Sequence, residues 1–513
     1  MKELLEEIIK EASKKNIDTP EKLQKIKNRL AKKHGKHSVS NYELNKFYNA
    51  SDLPREDHLK KLFQKRQVRS MSGVSIITVL TKPYPCPGKC VFCPTEKGMP
   101  KSYLSNEPAA MRALLNNFDP GKQIEKRLTS LKNQGHPTDK IELIVLGGTF
   151  SFYPRRYQQA FVRQCFNALN GGKKELSLEK AQKNNENAEH RVVGLSLETR
   201  PDHVTKDEVR WLRKLGCTKI QLGVQHLDNT ILDYVKRGHY KEDAAQAIRL
   251  CKDAGLKICL HMMPNLPGST PAKDLQMFKE LFANPDFRPD YLKVYPCTVT
   301  PFSELEGWVK KKTYKSYSDQ ELEELLVKIK RTIPEYVRIE RLIRDIPGES
   351  IIEGSKITNM RQEIERKYKV ECKCIRCREI KDTDIIAEKL KFHKLEYDAS
   401  GGKEFFLSYD QGRSLCSMLR LRFPSPDQVV KEIDGQIAII REVHTYGSQL
   451  RISKKSTGEA QHIGLGRKLI AEAENLSKTA GYKKIAVISS VGTRAYYKKL
   501  GYERDGTYMS KPL

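Results

Sequence analysis

The chain of 513 residues carries 93 lysines and arginines against 64 aspartates and glutamates, a net charge of +29. An excess this large favours a polyanionic partner, RNA or DNA before an acidic membrane surface, and no apolar run approaches the ~18–20 residues of a membrane span. At ~150 residues per domain about two to four domains are expected, and twelve cysteines clustered in a long chain speak for a reducing, cytoplasmic setting and metal chemistry rather than a secreted disulfide framework.

At the start, Leu4, Leu5, Ile8, Ile9 and Ala12, then Leu23, Ile26 and Leu30, recur at helical spacing, and Thr19-Pro20-Glu21 is a start signal for the second helix. Ten basic residues against three acidic ones lie between Lys10 and Lys36. This helical arm, residues 1–71, is therefore expected to contact RNA phosphates through Lys27, Arg29, Lys32 and Lys33, with a solvated charged face as the alternative. A short helix at 41–47 and a basic stretch at 60–69 lead into the next domain.

From residue 74 onward, short β-branched runs at 74–80, 141–147, 192–198, 219–224, 257–263 and 291–295 alternate with helical stretches at 108–115, 157–169, 206–215, 242–254 and 271–283. Six strands separated by helices predict parallel βα units, closed or partly closed as a barrel over residues 72–310. The polar, glycine-led segment 171–190 reads as an insertion or a mobile loop between units.

Chemistry in such folds gathers at the C-terminal ends of the strands. Directly after the first run stand Cys86, Cys90 and Cys93, spaced C-x3-C-x2-C. Three thiolates on one loop can hold three irons of a cubane cluster and leave the fourth iron open, or they can be most of a zinc site one ligand short of closure. Further strand ends carry Gly147-Gly148-Thr149, Glu198-Thr199-Arg200, Gln225, His261 and Lys293-Val294-Tyr295. Any one of these could be turn chemistry, whereas together on one predicted face they favour a site.

The cysteine loop, the glycine pair and the six βα units, in that order, resemble the radical S-adenosylmethionine (SAM) enzymes over residues 72–300. The resemblance implies a [4Fe-4S] cluster on Cys86, Cys90 and Cys93, SAM on the open iron, and an electron donor to cleave it to a 5′-deoxyadenosyl radical. It places Gly147, Gly148 and Thr149 near the methionyl amino group, and Glu198 and Gln225 near the SAM ribose or methionine, with Glu198 also a candidate catalytic residue. Thr149-Phe150 stands where that family usually has a glutamate.

Residues 311–399 read as a linker, with a well-capped helix at 318–331, a basic run at 338–347 and the cluster Cys372, Cys374 and Cys377. C-x-C-x2-C is three-quarters of a zinc site, for which His393 is the nearest fourth ligand, with Cys297 or an acidic residue behind it. Free cysteines are the alternative.

From 400 to 513 the texture changes to alternating strands, followed by a turn, Gln461-His462-Ile463-Gly464-Leu465-Gly466-Arg467, that opens an amphipathic helix. Unpaired amides at such a helix start suit a pyrophosphate. With the later strand and the Tyr496-Tyr497 pair, this succession resembles the Gcn5-related N-acetyltransferases (GNAT). By that match Gln461, Gly464, Gly466 and Arg467 would hold acetyl-CoA, and Tyr496 or Tyr497 would stand by the thioester sulfur, unless the pair is core packing. Glu442 and His444 are candidate bases or ordinary strand residues.

Over nearly the whole chain, a basic arm, a partial (β/α)6 TIM-like radical SAM barrel, a cysteine cluster and a GNAT α/β domain resemble the catalytic subunits of Elongator, tRNA uridine-34 acetyltransferases. Glu198-Thr199-Arg200-Pro201-Asp202, the segment 441–447 and the segment 491–497 carry the match. The family implies a carboxymethyl-type modification at C5 of the wobble uridine, with acetyl-CoA as carbon donor, and binding of the tRNA anticodon stem-loop. Other subunits or self-association are compatible with it, and no membrane is involved. A protein lysine acetyltransferase with a structural iron–sulfur barrel and a non-catalytic tRNA-binding scaffold are the alternatives.

Overall fold

In the computed structural model, which describes residues 1–64, 73–381, 385–447 and 464–513, the middle of the chain forms one sheet of seven parallel strands in sequence order. They are β1 (Ser75–Leu80), β2 (Lys140–Leu146), β3 (Arg191–Thr199), β4 (Lys219–Gln225), β5 (Lys257–Met262), β6 (Tyr291–Val294) and β7 (Arg338–Arg341). Parallel neighbours require crossovers, which helices such as Pro120–Asn133, Lys206–Leu215 and Pro271–Ala283 supply. Their starts are local chemistry: Asp119, Thr205 and Thr270 each accept a hydrogen bond from a first-turn amide, and Pro120 and Pro271 sit where no amide hydrogen is needed.

The outward strand faces, with Ile77, Val79, Leu143, Val145 and Ile220, are buried under these helices. The inward face is polar. Lys219 Nζ pairs with Glu142 and, at 2.9 Å, with Glu340 Oε1, and Lys293 Nζ donates to Gln221 Oε1. A closed eight-stranded barrel fills its interior with aliphatic layers; this curled sheet leaves a polar cavity instead.

Two sequence expectations change here. The sheet has a seventh strand, β7, inside the stretch read as a basic run of a linker. Four residues, three of them charged, give no β signal, yet Ile339 is fully buried and pairs with Leu292 of β6. Residues 171–190, read as an insertion or a mobile loop between units, carry structure of their own there: they contain the helix Leu178–Asn185, capped by Ser177. The fully buried Asn185 donates to Asn170 Oδ1 (2.8 Å) and His190 O (3.0 Å) and accepts from the Val192 amide (2.8 Å), so polar side chains order this segment from within.

At the start of the chain, α1 (Lys2–Lys14), α2 (Pro20–Lys33), α3 (Asn41–Ala50) and α4 (Asp57–Phe63) gather Leu4, Ile8, Leu23, Leu30, Leu44 and Phe63 into a core of their own. α3 meets the barrel through polar contacts: Asn45 Nδ2 donates to Asn133 O (3.1 Å) and Asn133 Nδ2 to the Tyr42 hydroxyl (3.0 Å).

The last part of the chain builds a second sheet from β8 (Leu390–Ala399), β9 (Gly402–Gln411), β10 (Ser414–Phe423), β11 (Ile437–Thr445), β12 (Lys484–Val487), β13 (Glu503–Asp505) and β14 (Tyr508–Pro512). Its order is β13-β14-β12-β11-β10-β9-β8, antiparallel except for the pair β11 and β12. The helix Leu465–Thr479 packs Leu469, Ile470 and Ala473 against Leu407, Leu419 and Ile440 of this sheet. Both sheets thus take strands, β7 and β8, from residues 311–399.

A buried ionic network joins the two sheets. Arg441 on β11 forks onto Asp290, just ahead of β6, at 3.0 and 2.5 Å, and reaches Glu404 of β9 at 2.9 Å. Arg422 bridges Glu404 (3.0 Å) and Asp253 (2.5 Å), Arg420 holds Glu442 (2.9 Å), and Lys252 lies 3.8 Å from Glu404. Burial alone would push the Asp290 carboxyl up, but the charges of Arg441, Arg420 and Lys252 outweigh it and hold the group well below the usual carboxylate range. No helix among the described residues is long and apolar enough to cross a membrane.

Removing one partner of this network leaves an uncompensated buried charge. Asp290→Asn should lower stability by about 3–5 kcal/mol, read as a fall in the urea unfolding midpoint. Because the Asp290 pKa is depressed in the fold, its contribution is present above the unfolded value of about 4 and is lost as pH falls through the folded value. The difference between wild type and variant should therefore hold at neutral pH and shrink in acid.

Candidate active site

The cysteine loop follows β1 and is pinned by backbone bonds from Val91 N to Val235 O (3.1 Å) and from Leu305 N to Val91 O (3.1 Å), with Val91 and Phe92 buried against Leu266, Val299 and Leu305. Cys90 accepts a hydrogen bond from Arg237 Nη1 at 3.3 Å, and the Gly88 amide donates to Cys86 Sγ at 3.4 Å. A hydrogen bond from Cys93, with the Arg237 charge added, draws the Cys90 thiol far below its ordinary value, while the same bond and burial push Cys93 up. The loop therefore already stabilises a thiolate.

The glycine pair faces this loop. Gly147 and Gly148 have φ of +142° and +84°, and a Cβ on Gly147 would overlap the Thr81 hydroxyl. Next to them, Thr149 Oγ1 lies 3.6 Å from Cys86 Sγ. From β3, Glu198 accepts from the Tyr103 hydroxyl (2.7 Å) and stands 3.4 Å from His261 Nδ1. Burial and the Lys293 charge hold His261 well below its ordinary pKa, so the ring is neutral, and its Nε2 lies 3.0 Å from Gln221 Oε1. Gln225 closes β4 with φ +73°, a left-handed conformation that side chains seldom adopt outside functional sites.

Arg200 donates to Asp202 from Nε and Nη2, both at 2.9 Å, while its Nη1 is buried without a hydrogen-bond partner and points at Gly88. An orphaned guanidinium nitrogen beside three cysteines suits an anionic group on that loop. Among the described residues, the one trio of ligand atoms all within 4.8 Å of one another is that of Cys372, Cys374 and Cys377.

Three residues around this site escaped sequence reading. Tyr103 bonds Glu198, Arg344 lies over the Tyr103 ring (5.0 Å), and Glu107 binds Arg344 at 2.8 Å. The basic run after β7 held the signal for Arg344, but nothing in spacing separates a half-buried guanidinium bound to Glu107 from a surface patch.

One cavity of about 1010 Å³ touches Cys86, Cys90, Cys93, Gly148, Thr149, Glu198 and Gln225, runs past His261 and Lys293, and ends on Glu442, His444 and Tyr446 of the second sheet. Glu442 is not a free base: Tyr291 and Arg420 both bind its carboxylate. His444 stacks on Tyr446 at 4.4 Å.

In the second domain, Gly464 caps the helix Leu465–Thr479 with φ +74°, Arg467 is exposed in its first turn, and a Cβ on Gly466 would lie 3.4 Å from the Tyr496 hydroxyl. Gln461 lies outside the described residues, as does the end of the basic stretch at 60–69. The two tyrosines separate. Tyr496 faces the turn and is 38% exposed, whereas Tyr497 is buried between Tyr496 and Tyr502, at 5.3 and 5.8 Å. Tyr497 is thus a packing residue, because neighbours on a helix point about 100° apart.

The Cys372 trio sits beside β7, where the Ile375 amide donates to Val337 O at 2.9 Å. Hydrogen bonds from Cys372 and Cys377 pull Cys374 towards thiolate. His393 does not complete this trio: it is largely exposed on β8, with Nε2 3.9 Å from Asp410. Nor does Cys297, which is buried beside Val299 and Leu305.

In the arm, Lys27 is not a surface contact. It is 5% exposed and donates to Asn41 Oδ1 (3.0 Å), since it shares the helix face of Leu23 and Leu30. Arg29 pairs with Glu11 and Lys33 with Glu7 (2.6 Å), and Lys32 is exposed.

Family models match the chain in three blocks: the Radical SAM superfamily over residues 84–281, the Radical_SAM C-terminal domain over 289–369, and the acetyltransferase (GNAT) domain over 429–511. The tRNA uridine(34) acetyltransferase of Methanocaldococcus jannaschii is 42% identical, covering 100% of this chain and 98% of its own length. Elongator complex protein 3 of Homo sapiens is 37% identical over 87% of this chain and 86% of its own length. Among solved structures, archaeal Elp3 of Methanocaldococcus infernus with an N-terminal deletion (1–46) superposes with a TM-score of 0.76 at 40% identity, covering 86% of this chain and 99% of that one.

Gly147 is the tightest point of the rim. Gly147→Ala should lower the thermal midpoint by the equivalent of about 1–3 kcal/mol for its positive φ, plus the overlap with Thr81. Thr81→Ala added to it should recover the overlap but not the strain. A single variant as stable as wild type would show that the rim is not so constrained.

Proposed function

Because the chain belongs to the family of tRNA uridine(34) acetyltransferases and Elongator complex protein 3, enzymes joining radical SAM and GNAT domains, we propose that it modifies C5 of the wobble uridine of tRNA with a carboxymethyl-type group, using acetyl-CoA and SAM. The observation that carries this reading is the single cavity lined at one end by the three-cysteine loop and at the other by Glu442, His444 and Tyr446. A lysine acetyltransferase with a structural barrel has no use for such a passage.

When bound, the [4Fe-4S] cluster and SAM supply a 5′-deoxyadenosyl radical able to take hydrogen from an unactivated carbon. The chain's own residues do the rest. Cys86, Cys90 and Cys93 hold the cluster, and Arg237 offsets its negative charge through the hydrogen bond to Cys90. The backbone of Gly147 and Gly148, with Thr149, lets the methionyl group approach closely, and Glu198, held by Tyr103, is an anionic acceptor for ribose hydroxyls with Gln225 beside it. In the second domain, amides of the turn through Gly464 and Gly466 would meet the pyrophosphate of acetyl-CoA, with Gln461 and Arg467 flanking it, and Tyr496 would stand by the thioester. Cys372, Cys374 and Cys377 hold a zinc ion that braces β7. The partner is the anticodon stem-loop, whose unstacked bases can enter a cleft and whose phosphates meet the excess of basic side chains.

The test is anaerobic reconstitution of the cluster, incubation with tRNA, acetyl-CoA, SAM and a reductant, and nucleoside analysis by mass spectrometry. A carboxymethyl-type mass increment at uridine 34, absent from the Cys86→Ala, Cys90→Ala and Cys93→Ala variants, is expected. An unmodified uridine with SAM intact and an added lysine peptide acetylated would overturn the proposal. In the arm, reversing Arg29, Lys32 and Lys33 to glutamate should weaken tRNA binding and flatten its salt dependence, and unchanged affinity would return these residues to an ordinary solvated face.

A further inference from the structure

The loops after the first three strands each leave an aromatic ring beside the cysteine loop. Tyr84 comes two residues before Cys86, Phe152 follows the glycine pair, and His203 follows Arg200. Their rings form a continuous strip, Tyr84 to Phe152 at 6.1 Å and Phe152 to His203 at 5.8 Å. Phe152 is 38% exposed, an apolar ring held out three residues beyond Thr149, which lines the polar cavity.

The strip has a rigid backing. Tyr84 stacks on the buried Tyr153 at 4.8 Å and Tyr153 on Tyr157 at 5.1 Å, while the Tyr153 hydroxyl is tied to Thr81 (2.8 Å) and to Lys82 O (2.7 Å). Its surroundings are basic. Lys82 Nζ lies 5.0 Å over the Tyr157 ring, and the exposed Lys89, Arg155 and Arg156 flank the loops. The nearby carboxylates are already engaged, Asp202 by Arg200 (2.9 Å) and Glu208 by Arg155 (3.8 Å).

An exposed ring between two half-buried ones, set among cations next to a reactive cavity, matches unpaired nucleotides, whose faces stack on aromatic side chains while their phosphates meet lysine and arginine. We propose that Tyr84, Phe152 and His203 form a stacking platform for the bases that neighbour the target uridine in the anticodon loop, holding the loop open so that the target base enters the cavity. This inference rests on the tRNA reading above and specifies where the loop is held. Thr149, three residues before Phe152, lies 3.6 Å from Cys86 Sγ, so a base on Phe152 borders the radical end of the cavity.

The experiment titrates the reconstituted full-length protein into an anticodon stem-loop carrying 2-aminopurine next to the wobble uridine, with a fully paired hairpin of the same length as control, and checks folding of each variant by its thermal midpoint. Wild type should bind the stem-loop with a change in 2-aminopurine fluorescence. Phe152→Ala should weaken that binding roughly 5- to 100-fold while affecting the paired hairpin little, and Phe152→Trp should restore it. Equal stem-loop affinity for wild type and Phe152→Ala overturns the platform while leaving the tRNA reading intact, as does restoration by Phe152→Leu as complete as by Phe152→Trp. A wild type that binds neither RNA removes both. Unchanged RNA binding with slower cluster reduction by an added flavodoxin would reassign the strip to a protein electron donor.

Discussion

The buried ionic network around Asp290, Glu404 and Arg441 decides how the two sheets meet. Arginines 420, 422 and 441 with Lys252 face Asp253, Asp290, Glu404 and Glu442, four buried cations against four buried carboxylates. Taking such charges out of water is expensive, and apolar replacements are often as stable. What aliphatic contact lacks is direction. A planar guanidinium bound to one carboxylate of each sheet admits one orientation, and a shifted sheet would leave charges unpaired. This orientation places β11, with Glu442 bound to Tyr291 of β6, at the floor of the barrel cavity.

The cavity depends on a second departure from apolar packing. Lys219, Glu142 and Glu340, and beside them Lys293, Gln221 and His261, satisfy one another across the barrel interior. Aliphatic side chains would have filled this space, whereas paired polar groups leave room and keep it wettable. The stability given up inside is recovered outside, where the other strand faces pack against helices in one large apolar core.

Features set by short spacing were legible in the sequence: the three-cysteine loop, six strands alternating with helices, the glycine pair and the capped helices. Features set by contact across the chain were not. β7 is four residues long and carries charges that only its neighbours neutralise. His393 stands sixteen residues past Cys377, and nothing local fixes where β8 directs it. Lys27 is a different case: it lies four residues after Leu23 and three before Leu30, on the buried stripe, so helical phase alone could have removed it from the surface. The tyrosine pair divides by the same reasoning, one ring to the turn and one to the core.

The first four helices own their core, and the contacts described between them and the barrel are amide and hydroxyl hydrogen bonds made by Asn45, Asn133 and Tyr42. Asn45 is buried at this seam, so losing its bond would leave an unsatisfied polar group between the two cores. The arm is accordingly a unit with a core of its own, held to the barrel by directional polar bonds that set where its basic helices stand beside the cavity-bearing domain.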